Sequence, residues 1–127
     1  MAKGRYRQQI NTVRSQIINI DNGAGTTIDE ALFNLPKGGR LVRAYALYNE
    51  AAGVVAAGNF KLGSAIAGAE YVAATAYTDS AAIGAVTESI LVSDVIPAGG
   101  TVFLRHTGIA ATAAGQVFIC VDFVEND

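Results

Sequence analysis

Apolar side chains recur at every second position over several short stretches of this chain, the period of a half-buried β-strand. From Gln9 to Ile20, Ile and Val alternate with Gln, Asn, Thr and Arg, and the run ends at Asp21-Asn22-Gly23, a strong turn signal. One strand followed by a turn is predicted. Residues 26–35 carry Ile28, Leu32 and Phe33 and are closed by Pro36-Lys37-Gly38-Gly39, which predicts a second, short or edge strand. The clearest strand is Arg40 to Glu50: Leu41, Arg43, Tyr45, Leu47 and Asn49 share one face, and Val42, Ala44, Ala46 and Tyr48 the other. Both faces are substantially apolar, so the strand is expected to be central.

Small residues fill 51–58, and Asn59-Phe60-Lys61-Leu62-Gly63 then alternates as a short strand ended by glycine. Between Ser64 and Thr87 alanine favours helix, whereas Tyr71, Val72, Thr75 and Tyr77 favour strand. A strand near 70–78 is predicted, followed by a short helical turn near 79–85 with Asp79 as its cap. Three further strands are expected at 88–92, 101–107 and 116–125, set apart by Pro97-Ala98-Gly99-Gly100 and by 108–115. Seven or eight short antiparallel strands with no long helix predict an all-β sandwich, jelly-roll-like in arrangement. No composition break divides the chain, so residues 9–127 read as one domain preceded by an extended N-terminal arm, residues 1–8.

At 127 residues the chain is long enough to bury a core without staples. Hydrophobic residues form 51% and charged ones 16%, far from the profile of a disordered chain, yet aromatics are only 8% and Trp is absent. Close sheet packing and contacts between subunits are expected to replace bulky core side chains. The net charge of −2 conceals an asymmetry: Lys3, Arg5, Arg7 and Arg14 precede the first acidic residue, Asp21, and the C-terminus ends in Asp122, Glu125 and Asp127. Lys3, Arg5, Tyr6 and Arg7 are therefore the candidate partner-contact residues. No second basic stripe accompanies them, so an acidic protein surface is favoured over nucleic acid. The N-terminus lacks the apolar core of a signal peptide, and the longest uncharged run is too short and too polar for a membrane span. A protein made in the cytoplasm, without a membrane partner, is expected.

Catalytic chemistry finds little support. His106, the single histidine, stands at the end of a predicted strand and reads as structural or solvent-exposed. Cys120, the single cysteine, shares a strand face with Phe118 and Asp122 and reads as a small buried apolar residue. Asp29 and Glu30 are the one adjacent carboxylate pair, and neighbours on a strand point to opposite faces. Gly23-Ala24-Gly25-Thr26 lacks the third glycine and the helix of a dinucleotide site, and the Asp21-Asn22-Gly23 turn lacks calcium-loop spacing. No enzyme, cofactor or metal site is expected.

Five segments together carry a resemblance. These are Leu41-Val42-Arg43-Ala44-Tyr45; Phe60-Lys61-Leu62-Gly63; the Ala-rich stretch from Tyr71 to Ala85; Ile96-Pro97-Ala98-Gly99-Gly100-Thr101-Val102; and the Gly-initiated strand from Gly115 to Phe123. Over roughly residues 40–124 the sequence resembles the small β-sandwich cement, or decoration, proteins on the heads of tailed bacteriophages. The resemblance implies a virion structural protein on the capsid exterior that binds the major capsid protein, self-associates as a dimer or trimer, and clamps capsid joints. It brings no active site. Because jelly rolls also serve as adhesion modules, the alternative is a carbohydrate-binding or fibre-type module, which the absence of Trp disfavours.

Overall fold

The computed structural model describes residues 9–53, 55, 58–109 and 114–127. Among these the chain forms ten strands and no helix: β1 (Ile10–Arg14), β2 (Ile18–Asn19), β3 (Thr27–Leu35), β4 (Gly39–Glu50), β5 (Asn59–Gly63), β6 (Val72–Ala76), β7 (Val86–Glu88), β8 (Val95–Ile96), β9 (Gly100–Thr107) and β10 (Gln116–Glu125). One sheet runs β1-β10-β4-β7, with β2 also on β10 and β8 also on β4; the second runs β3-β9-β5-β6. All pairs are antiparallel. The chain folds back on itself as a ribbon, pairing β1 with β10, β3 with β9, β4 with β7 and β5 with β6. Rolling that ribbon brings β4 beside β10 and β5 beside β9. This is the pairing scheme of a jelly roll.

The inner faces of the two sheets meet in one core. Val117, Ile119, Val121 and Phe123 of β10 and Leu41, Ala44, Ala46 and Tyr48 of β4 face Val102 and Leu104 of β9 and Phe60 and Leu62 of β5. Strand β4 is central and twelve residues long, but its inner face changes phase. The register steps from Arg43 opposite Asp122 to Leu41 opposite Phe123, so Val42 is a bulge residue. Leu41 therefore shares the inner face with Ala44, Ala46 and Tyr48, while Arg43, Tyr45 and Leu47 point outward.

Three other expectations are corrected. The single strand over 9–20 is two, because at Ser15 the side chain takes over the ladder: its Oγ accepts the Ile119 N–H at 2.9 Å while its own N–H donates to Ile119 O at 2.8 Å. The helical turn over 79–85 is absent. Asp79 Oδ1 instead accepts the Val55 N–H at 2.7 Å, and the alanine-rich segment pairs with β4 and its extension through Ala52 N–H to Ala81 O, Gly84 N–H to Tyr48 O and Tyr48 N–H to Ala85 O. Sheet hydrogen bonds at long range outweigh the weak helix preference of alanine. The strand expected over 88–92 is shorter and earlier: β7 ends at Glu88, after which the chain crosses to the other sheet, where Leu91 bridges Val72.

Candidate functional site

His106 lies on the inner face of β9, fully buried, at the centre of a polar chain. Its Nδ1 is 2.7 Å from the Tyr77 hydroxyl and its Nε2 is 3.1 Å from Asn22 Oδ1. Asn22 Oδ1 can only accept, so Nε2 carries the proton and Nδ1 accepts from Tyr77 O–H. Burial lowers the His106 pKa to about 4 and raises that of Tyr77, so both groups are neutral near pH 7. The arrangement resembles a proton relay in outline only. Tyr77 is itself 5% exposed, and its ring packs on Phe60 and on His106, so all of the polar capacity is spent inside the sandwich. Sequence reading placed His106 on a strand but missed Tyr77 and Asn22 as its partners.

The outward face of the six-stranded sheet carries the charged and aromatic groups. Across one row the register aligns Arg14, Cys120, Tyr45 and Glu88. The Arg14 guanidinium stands 4.3 Å over the Phe118 ring, and that of Arg43 stands 4.0 Å over Tyr45 while pairing with Glu88. Thr12 donates to Asp122 at 2.6 Å in the next row. Cys120 shares this face with Phe118 and Asp122, as expected, yet it is only 2% exposed, and burial pushes its thiol pKa up. On the outer face of the other sheet Arg105 clasps Asp29 with two bonds of 2.7 and 2.8 Å, which holds the Asp29 carboxyl below its usual range. Glu30 points elsewhere and accepts the Gln16 N–H, tying edge strand β3 to the β1–β2 corner.

Where the chain leaves β7 and crosses between the sheets, several of its outward side chains are apolar, interspersed with the exposed Glu88 and Ser93. Val86, Ile90, Val92 and Val95 are 42%, 88%, 63% and 60% exposed, and Val42 beside them is 47% exposed. A shallow groove lined by Ala73, Ala74, Thr75 and Glu88 adjoins Ile90. The signal for this rim lay in Ile90-Leu91-Val92, an apolar triplet that no one-sided alternation accommodates. Among the described residues no three His, Cys, Asp or Glu side chains gather as metal ligands, and no helix is long and apolar enough to cross a membrane. Lys3, Arg5, Tyr6 and Arg7 lie outside the described residues.

Comparison with known proteins bears on the fold. The solved structure of the cyanophage Pam1 capsid asymmetric unit contains a chain that superposes with a TM-score of 0.62 at 14% identity, over 99% of this chain and 98% of that one. No family model and no curated protein matches the sequence.

Proposed function

We propose that this chain is a structural protein of a tailed-phage virion, bound as a cement protein to the outside of the head. The observation that carries the reading is the end-to-end likeness to a chain from a phage capsid asymmetric unit, which spans nearly the whole of both chains. The likeness therefore takes in both sheets and is not confined to one part of the fold. The surface chemistry supports it. The histidine and cysteine are consumed in packing, while the exterior offers broad sheet faces of arginine, aromatic and apolar groups.

In this reading the major capsid protein is the partner, and copies of the chain associate with one another as well. The basic segment Lys3, Arg5, Tyr6 and Arg7 meets an acidic surface of the capsid protein or of a neighbouring copy. Many such contacts, each weak, gain from repetition across a polyvalent shell. The test is to strip the protein from purified heads of the phage that encodes it and add it back. Saturable binding at a fixed ratio to the major capsid protein, with heads made more resistant to heat, is the expected result. Absence of the protein from purified particles, or unsaturable binding, would overturn the proposal.

A further inference from the structure

Of the arginines among the described residues, Arg14 alone lacks an acidic partner. Arg40 pairs with Asp94, Arg43 with Glu88 and Arg105 with Asp29. All eleven Asp and Glu residues of the chain lie among the described residues, so the chain holds no further carboxylate for Arg14. Its guanidinium stands 4.3 Å over the Phe118 ring, and a cation held on a ring gives up less freedom on binding while its N–H edge stays able to donate. The ladder register shows what surrounds it. Phe118 lies opposite Leu47 and Leu47 opposite Val86, and the next row runs Arg14, Cys120, Tyr45 and Glu88. Facing side chains on a sheet stand about 5 Å apart and rows on one face about 7 Å apart, so these residues form one patch across β1, β10, β4 and β7. Phe118 and Leu47 are half-buried and Val86 is exposed, while Cys120, although it points outward, is only 2% exposed. A cation without a counterion thus stands beside a packed, apolar stretch of sheet.

Chemistry selects the occupant. A lone guanidinium calls for an anion that accepts two parallel N–H bonds, a carboxylate or a phosphate. A nucleic-acid strand crossing this face would bring its repeated phosphates against Glu88, which ends the same row, and Asp122, which lies opposite Arg43 in the next, on a chain of net charge −2. A single carboxylate on a protein surface needs only the one position, and its apolar neighbours find the Phe118 row. We propose that this face docks on a partner protein through a carboxylate that forks onto Arg14, with apolar side chains beside that carboxylate covering Phe118, Leu47 and Val86. The inference deepens the proposed function and rests on it for the partner, the carboxylate being one of the major capsid protein. It concerns a different site from Lys3, Arg5, Tyr6 and Arg7.

Binding of the full chain to stripped heads tests it by comparing two arginines. Arg14→Gln and Arg40→Gln remove the same charge from the same outward face, where Arg40 lies opposite Val124 and is already paired with Asp94. Arg14→Gln is expected to weaken head binding about tenfold or more, because the carboxylate it leaves behind is desolvated and unpaired, whereas Arg40→Gln should stay within about twofold of the wild type. Both variants should melt close to the wild type, since both side chains are exposed. Arg14→Lys keeps the charge and loses the fork, so its binding should fall in between. On heads, a carbodiimide should couple the new amine at position 14 to an Asp or Glu of the capsid protein, the reagent taking up the water lost as the amide bond forms, and mass spectrometry locates the acid. Equal losses in Arg14→Gln and Arg40→Gln would reduce the effect to net charge, and unchanged binding by Arg14→Gln would leave the face unused. Either result overturns the inference while the cement reading stands, as would a crosslink from position 14 only to a second copy of this chain. A wild type that binds no heads overturns both.

Discussion

His106 shows how one buried residue couples this fold to pH. Its folded pKa is lowered to about 4 from 6.5 by burial, so on acidification the unfolded chain takes up a proton that the folded chain refuses. Stability contributed by the neutral imidazole is complete above pH 6.5, falls between 6.5 and about 4, and changes no further below that. The total is about 3 kcal/mol for a shift of this size. Urea titrations from pH 7 to 4.5 should show the midpoint falling, and His106→Leu, though less stable at pH 7, should lose the slope over that window. A flat wild-type curve would mean that His106 titrates normally. The Asp29 carboxylate, held low by Arg105, loses its contribution only at more acidic pH, so the two effects separate. The strand position of His106 was legible in Val102-Phe103-Leu104-Arg105-His106. Its partners were not, because Tyr77 and Asn22 come from positions 29 and 84 residues away.

Elements were legible where alternation persists and misleading where a single residue interrupts it. Strand β5 coincides with the predicted segment, β9 and β10 agree to within a residue, and β3 is an edge strand as expected, though nine residues long. In β4 the bulge at Val42 changes which residues share a face, and simple periodicity cannot register an inserted residue. The consequence is measurable. Ala46 is fully buried between the sheets, whereas Leu47 is half-buried on the outer face. Ala46→Leu forces extra carbons into a closed core and should cost about 1–3 kcal/mol. Leu47→Ala should cost about 1 kcal/mol or less. Chemical denaturation of the two variants reads the difference, and the opposite order would place the phase change elsewhere.

For the whole molecule, composition and turn spacing were enough to indicate a two-sheet β-sandwich, but not the edges that the rolled ribbon brings together. Thr12 and Asp122, which bond across β1 and β10, are 110 residues apart, and no local pattern encodes such a pair. That pairing also fixes where the basic N-terminal segment joins the body. Ile10 lies opposite Val124, so the start of β1 stands beside the acidic end of the chain, which carries Glu125 and Asp127. Two uses of Lys3, Arg5 and Arg7 follow, a contact with the chain's own acidic end or a contact with a partner, and they differ in what deletion does. Exposed charge pairs are screened within about 10 Å at 0.1 M salt, so either contact weakens as salt rises. If the segment serves a partner, removing residues 2–8 should leave the melting temperature of the free protein unchanged at every salt concentration. Occupancy on stripped heads should then fall at low salt, with a flatter salt dependence than the full chain shows. If it serves the chain's own tail, deletion should lower the melting temperature at low salt and leave occupancy unaltered. We expect the first outcome. Docking costs any terminal segment conformational freedom, and three like charges beside Tyr6 in the sequence would offset that cost better against an extended acidic surface than against two terminal carboxylates.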